Sequence, residues 1–243
     1  MRGSWCQPPK SGAPWREGEA FPPPYSQILL ERSRSWFNEV SLLVVDFMRA
    51  KKTLLTDAGS KIIDNIEIAS LCVAFLWGVY FLDLVLAYDL RIHGIIPRNT
   101  SSLPGLLFAP LLHASAGHLF SNSAALAPLL FFSLMYSRKL TLEAVIFIAL
   151  VGGAGIWLFG GSHTVHIGAS GIIFGLIGYL LAIGFFQRDL LALAVSLAVA
   201  SYYGWALSSL FVVLPGVSWT GHFFGFAAGV FAAWLTAKDK KRL

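Results

Sequence analysis

Charge is scarce in this sequence, and so is cysteine. Lys, Arg, Asp and Glu make up 13% of the 243 residues, well below the roughly 25% usual in soluble domains. With 56% hydrophobic residues and a mean hydropathy of +0.67, an ordinary water-soluble domain is excluded and the bilayer is the expected solvent. The two cysteines, Cys6 and Cys72, fall in a polar tail and an apolar run, so no disulfide framework is expected. The net charge is +5, yet no basic stripe with interleaved aromatics accompanies it, which argues against a nucleic-acid partner. The order of charged, apolar and small residues that marks a cleavable signal peptide is also missing, so the N-terminus is expected to stay on the side of synthesis.

The charge that is present is unevenly placed. Nine of the 18 basic and eight of the 13 acidic residues lie in Met1–Glu67, so a polar tail joins a membrane domain. Residues 1–27, rich in Pro, Gly and Ser, are expected to be a disordered tail. In residues 28–66, Val40, Leu43, Val44, Phe47 and Met48 recur at helical spacing beside Asp46, Arg49, Lys51 and Lys52, the pattern of an amphipathic, interfacial cytoplasmic segment. Residues 67–237 are expected to form the membrane domain, and residues 238–243 a basic cytoplasmic C-terminus.

Six apolar runs in that domain match the roughly 30 Å of bilayer hydrocarbon: Ile68–Ala87, His118–Tyr136, Leu142–Phe159, Gly168–Phe186, Leu190–Leu214 and Trp219–Ala237. The expected fold class is an all-α polytopic membrane protein, a six-helix bundle. A cytoplasmic N-terminus puts Lys61, Arg138, Lys139, Arg188, Lys238, Lys240, Lys241 and Arg242 inside, against Arg91 and Arg98 outside, as the positive-inside rule requires. His118 and Asn122, Ser170, and His222 then all sit near the outer starts of even-numbered spans.

Each of these polar residues, taken alone, reads as interhelical glue; together they fit a narrower chemistry. A serine hydroxyl is a poor nucleophile until a base takes its proton, and a neighbouring histidine supplies that base at neutral pH. Ser170 and His222 form such a pair. Asp83, Glu143 and Asp189 lie on other spans or at the cytoplasmic side, so a dyad is expected rather than a triad. Acyl transfer also needs donors for the developing oxyanion. His118 and Asn122, four residues apart on one helix face, and the Ser170 backbone N–H at a helix start supply them. Two stripes of small residues, Gly171, Gly175 and Gly178 against Gly221, Gly225 and Gly229, permit the close helix approach that would bring hydroxyl and imidazole together. Ordinary glycine-stripe packing without chemistry accounts for the glycines equally well, but leaves the Ser, both His and the Asn unexplained.

The stretches "HASAGHLFSN", "GASGIIFGLIGY" and "GHFFGFAAG", in this order and on alternate spans, resemble the rhomboid intramembrane serine proteases over roughly Ile68 to Ala237. The resemblance implies Ser170 as nucleophile, His222 as general base, and His118 and Asn122 as oxyanion side chains. It further implies His113 as a structural loop histidine, Gly168 as the residue shaping the turn before the nucleophile, and Phe174 as an aromatic packed on the imidazole. Substrates would be transmembrane or juxtamembrane segments of other proteins with small residues and weak helicity at the cut, and no cofactor would be needed. The Trp-Arg pair that anchors the first outer loop in some members is absent; this chain has "PGLLFAPLL" at 104–112.

His163 and His166 lie in the loop before Ser170. His166 competes as base, although only His222 has the glycine-framed helical setting. His93 is expected to lie exposed in the first loop. A metal site built from His113, His118 and His222 lacks a completing carboxylate or thiolate. The rival function is a non-catalytic, rhomboid-like binder of membrane-protein clients; a transporter would show inverted repeats or broken helices in matching halves. The expected location is a multi-pass protein of a bacterial-type inner (cell) membrane, in contact with lipid and with both termini cytoplasmic.

Overall fold

The computed structural model describes residues 25–86, 88–187, 189–211 and 218–240. The expected disordered tail lies mostly, and Arg188, residues 212–217 and the last three residues lie entirely, outside the described residues. The chain divides into two units, Met1–Asp57 and Ala58–Leu243.

Helix α1 runs over Tyr25–Val85. No proline interrupts the chain between Pro24 and Pro97, so nothing in the sequence stops the helix ahead of the first apolar run. In the first unit Leu42, Leu43, Val45 and Met48 are exposed. Helix α2 covers Ala116–Tyr136, with Ser115 as its N-cap accepting from the His118 N–H at 3.1 Å. Helix α3, Arg138–Phe159, contains a wide π-type turn at Ile148–Gly152, a feature that often marks functional sites. Helix α4 covers Ser170–Gln187. Helix α5 covers Leu190–Tyr203, capped by the Asp189 carboxylate on the Ala192 N–H at 2.8 Å, and tightens into a 3₁₀ turn at Gly204–Leu210. Helix α6 covers Trp219–Lys240.

Among the described residues five stretches are long and apolar enough to cross a membrane: Thr56–Val85, α2, α3, α4 and Leu190–Leu210. The sixth expected span forms as α6 but falls outside this set, because Thr220, His222 and its glycines dilute its hydropathy. Helix α4 is apolar on every side, as a helix enclosed by others must be, and Leu176, Ile177, Tyr179, Leu180 and Ile183 on it are almost wholly buried. On α1, by contrast, Leu71, Phe75, Phe81, Leu82, Leu84 and Val85 are exposed, as suits a lipid-facing surface.

Helices α4 and α6 interlock through the two glycine stripes. A Cβ on Gly225 would overlap the Gly171 carbonyl, one on Gly229 the Gly175 carbonyl, and one on Gly178 would lie 2.5 Å from the Phe226 carbonyl. Backbone thus packs on backbone at three places along α4, a proximity that only the absence of side chains allows. Two stripe members differ from the expected pairing. Gly171 has room, its Cβ being 3.7 Å from the Gly221 carbonyl, and Gly175 directs its Cβ at Ile148 of the π turn in α3 rather than at α6. The π turn closes in from that side, where a Cβ on Gly152 would lie 3.3 Å from the Gly225 Cα.

The segment after α1 and the loop before α4 lock together. Ile95 and His166 exchange backbone hydrogen bonds at 3.0 and 2.9 Å. Arg98 donates to the Leu158 and Gly160 carbonyls, each at 3.0 Å, and to the Ser162 hydroxyl at 2.8 Å, while the Trp157 indole N–H donates to the Asn99 carbonyl at 2.9 Å. Arg98 and Trp157 therefore anchor the segment between α1 and α2. The "PGLLFAPLL" segment folds into short helical turns at Gly105–Phe108 and Ala109–Leu111.

Candidate active site

Ser170 is the first residue of α4, and the turn that delivers it depends on Gly168. That residue has φ +109°, a conformation open to glycine and costly for residues with a side chain, and its N–H donates to the Ala109 carbonyl at 2.8 Å. The turn opens a pocket lined by Pro110, Gly152, His166, Gly168, Ser170, Gly171, Gly221 and Gly225. Glycines from three helices make its walls, so the Ser170 backbone and hydroxyl are approachable where a Cβ would block them.

His118 and Asn122 converge on this turn from α2. A Cβ on Gly168 would meet His118 Cε1 at 2.7 Å, His118 Nε2 at 2.8 Å and Asn122 Nδ2 at 3.4 Å. The Asn122 amide nitrogen is buried and makes no hydrogen bond among the described residues. A buried donor left unpaired costs about 1–3 kcal/mol, a cost that an acceptor reaching this amide would offset.

His113 backs this arrangement. Its ring meets His118 edge-on at 5.1 Å, and Nδ1 lies 3.2 Å from the Leu111 carbonyl. A carbonyl only accepts, so Nδ1 carries the proton. Burial, with His118 adding to it, pushes the imidazole down to about 4, so His113 is neutral near pH 7.

His222 projects from the first turn of α6 and is buried. Its ring stacks on Phe174 with centroids 4.0 Å apart and planes 18° from parallel. Phe174 lies one turn beyond Ser170 on α4, so the stack holds the imidazole beside the serine-bearing face. The Ser170 hydroxyl makes no hydrogen bond among the described residues. His222 Nδ1 lies 3.3 Å from the Ser209 hydroxyl, a contact that sequence spacing does not reveal because the two residues belong to different helical segments.

The remaining histidines separate cleanly. His163 lies in an exposed loop with φ +62°, and His93 is exposed beside Tyr88. His166 has both ring nitrogens engaged, Nε2 with the Thr164 hydroxyl at 2.8 Å and Nδ1 with the Ser218 hydroxyl at 2.7 Å. Thr164 donates to the Gly161 carbonyl at 2.7 Å, and Ser218 accepts the Gly221 N–H at 3.0 Å. The protons accordingly run one way along the chain, from Gly221 through Ser218 and His166 to Thr164 and Gly161. His166 ties the loop before Ser170 to the first turn of α6. Among the described residues no cluster of three or more His, Cys, Asp or Glu side chains stands where it would hold a metal ion.

A multi-pass helical membrane protein with His118 and Asn122 at the glycine turn that leads into Ser170, and His222 stacked on Phe174 one turn further along α4, is the class this fold and geometry define. A Rhomboid domain model matches residues 100–239, and the chain belongs to the rhomboid family, whose members are in general intramembrane serine proteases. An uncharacterized protein of Mycobacterium tuberculosis is 39% identical over 178 residues, covering 70% of this chain and 74% of that one. One from Mycobacterium leprae is 37% identical over 183 residues, covering 70% of each. A Bacillus subtilis protein named as a candidate rhomboid protease is 30% identical over 135 residues, 54% of this chain and 66% of that one.

Proposed function

We propose that this protein is an intramembrane serine endopeptidase that cleaves transmembrane or juxtamembrane segments of other membrane proteins through a Ser170–His222 dyad and an acyl-enzyme. The observation that carries this reading is the convergence of three helices on the turn at Gly168 to Ser170. Helix α4 brings the hydroxyl, α6 the imidazole stacked on Phe174, and α2 a pair of side-chain donors set against Gly168.

The chemistry follows from the roles. As Ser170 Oγ bonds to the scissile carbonyl carbon, its proton passes to the imidazole and the carbonyl π pair becomes the oxyanion. Asn122 Nδ2, His118 and the Ser170 N–H at the positive end of α4 stabilise that charge. The imidazolium then protonates the leaving amine as the C–N bond breaks, and water reverses the sequence to release the acyl group. Catalytic hydrogen bonds commonly tighten only once substrate is bound, which suits the uncommitted Ser170 hydroxyl. No cofactor takes part. The test is cleavage of a transmembrane reporter co-reconstituted with the purified protein in liposomes: products cut within or beside the membrane segment support the reading, and an intact reporter that still binds turns it toward a non-catalytic client binder.

Two expectations arise here. Asn122→Ala lowers turnover by roughly 10²-fold, since one lost donor leaves the others in place, and His118→Ala behaves similarly. Substrate affinity changes little in either, because the donors act on developing charge; unchanged turnover in both would reduce α2 to packing. The site also faces the outer side, with six spans and both termini cytoplasmic. In a Cys-free background, Val165→Cys, at a position half exposed in the loop before Ser170, labels with an impermeant maleimide on intact cells, whereas Lys139→Cys labels only after permeabilisation. The reverse pattern overturns the topology.

A further inference from the structure

We propose that Ser209 is a positioning residue for the reaction, accepting the hydrogen bond of the His222 Nδ1–H and so holding the imidazole in the tautomer whose Nε2 is unprotonated and can serve as the base for Ser170. The proposal rests on the protease reading above and assigns a task to a residue outside its dyad and oxyanion donors.

The hydrogen-bond directions decide the tautomer. Ser209 has one hydroxyl proton, and it is committed to the Ala206 carbonyl at 2.8 Å, which can only accept. What Ser209 Oγ presents to His222 Nδ1 at 3.3 Å is therefore a lone pair. Nδ1 must carry the hydrogen, and a neutral imidazole then has its lone pair on Nε2. Phe174, stacked at 4.0 Å, fixes the plane of the ring, but stacking does not distinguish a ring from its flipped or tautomeric form. Ser209 makes that distinction.

In soluble triads a carboxylate performs this task and also stabilises the imidazolium. A carboxylate buried among these helices would carry a heavy desolvation cost, whereas a hydroxyl oxygen accepts the same N–H at little cost. During acylation the proton leaving Ser170 arrives at Nε2, and the resulting imidazolium donates more strongly from Nδ1 to Ser209. When Nε2 gives its proton to the leaving amine, the ring returns to the same tautomer, ready to act on water.

Ser209 reaches the imidazole only while the 3₁₀ turn at Gly204–Leu210 packs on α6. The Trp219 indole N–H, donating to the Leu210 carbonyl at 2.5 Å, fastens that turn. Ser208, its neighbour, donates to the Trp205 carbonyl at 2.8 Å in an exposed position and so provides an internal control.

The experiment measures kcat and KM of the purified full chain on a fluorogenic transmembrane peptide, together with the imidazole ¹⁵N spectrum assigned to His222 by difference against His222→Ala. Ser209→Ala is expected to lower kcat roughly tenfold, a fraction of the roughly 10²–10⁴-fold that a positioned general base contributes because Phe174 still holds the ring plane, with KM unchanged. Ser209→Thr restores most of the loss, and Ser208→Ala matches wild type. The wild-type His222 spectrum shows Nδ1 protonated and Nε2 bare, and Ser209→Ala loses that preference. A wild-type kcat in Ser209→Ala, or a wild-type His222 protonated on Nε2, overturns the proposal; the second measurement decides even where Ser209→Ala does not fold. If wild type cleaves and Ser209→Ala equals it, the protease reading stands and only this assignment falls. If wild type cleaves nothing, the protease reading itself fails.

Discussion

Ser170→Ala and His222→Ala are each expected to abolish cleavage of a transmembrane reporter while leaving the protein folded. The loss is all or nothing because nucleophile and base act as one unit, so removing either costs nearly as much as removing both. Alanine at 170 deletes one hydroxyl from the first residue of α4, a position already lined by glycine walls, and creates no clash. Alanine at 222 leaves Phe174 without its stacking partner, a contact worth about 0.5–1.5 kcal/mol beyond the area it buries, in a bundle whose core is formed elsewhere, around α4. Cleavage retained in either variant sinks the dyad. If His222→Ala stays active while His166→Ala does not, the base is His166, although both of its ring nitrogens are already engaged by Thr164 and Ser218.

Gly229→Val and Gly225→Val are expected to unfold the bundle at temperatures where wild type is intact, and to remove activity with it. The added atoms would meet backbone carbonyls of Gly175 and Gly171, which cannot rotate away as a side chain would. Overpacking in a core typically costs about 1 to 3 kcal/mol, and a backbone obstacle places these two at the upper end or beyond. Gly78→Ala serves as the comparison: nothing lies within 4 Å of its Cβ on α1, so a helix-interior alanine should be neutral or stabilising by up to about 1 kcal/mol. Thermal unfolding in detergent reads all three. Normal melting of Gly229→Val would refute the interlocked stripes.

The two glycine stripes were legible because helical periodicity places residues three and four apart on one face. For the same reason His118 and Asn122 could be read as partners, and Phe174 as lying one turn from Ser170. Sequence spacing carries no information across segments that meet only in three dimensions. Ser209 lies 13 residues from His222 and His166 lies 52 from Ser218. Nothing in the "GGSHTVHIG" loop distinguishes a histidine that clasps α6 from one that catalyses. The π turn in α3 was hidden too, since Ile148–Gly152 reads as ordinary apolar helix until Gly175 and Gly225 press against it. Nor did the missing Trp-Arg pair reveal its substitute, because Arg98 and Trp157 are 59 positions apart and join only through the folded loops. Element ends moved for local reasons: Ser115 caps α2 two residues ahead of the expected start, and α5 tightens at Gly204, where the expected span runs on to Leu214.

The central claim is that Ser170 is an activated nucleophile, and one measurement addresses it without needing a substrate. Purified protein is treated with a fluorophosphonate, whose phosphorus is attacked by an activated serine with loss of fluoride, and the adduct is located by peptide mass spectrometry. A single adduct on Ser170, absent from His222→Ala, is the expected result. No adduct on folded wild-type protein, or an adduct that persists unchanged in His222→Ala, would contradict it.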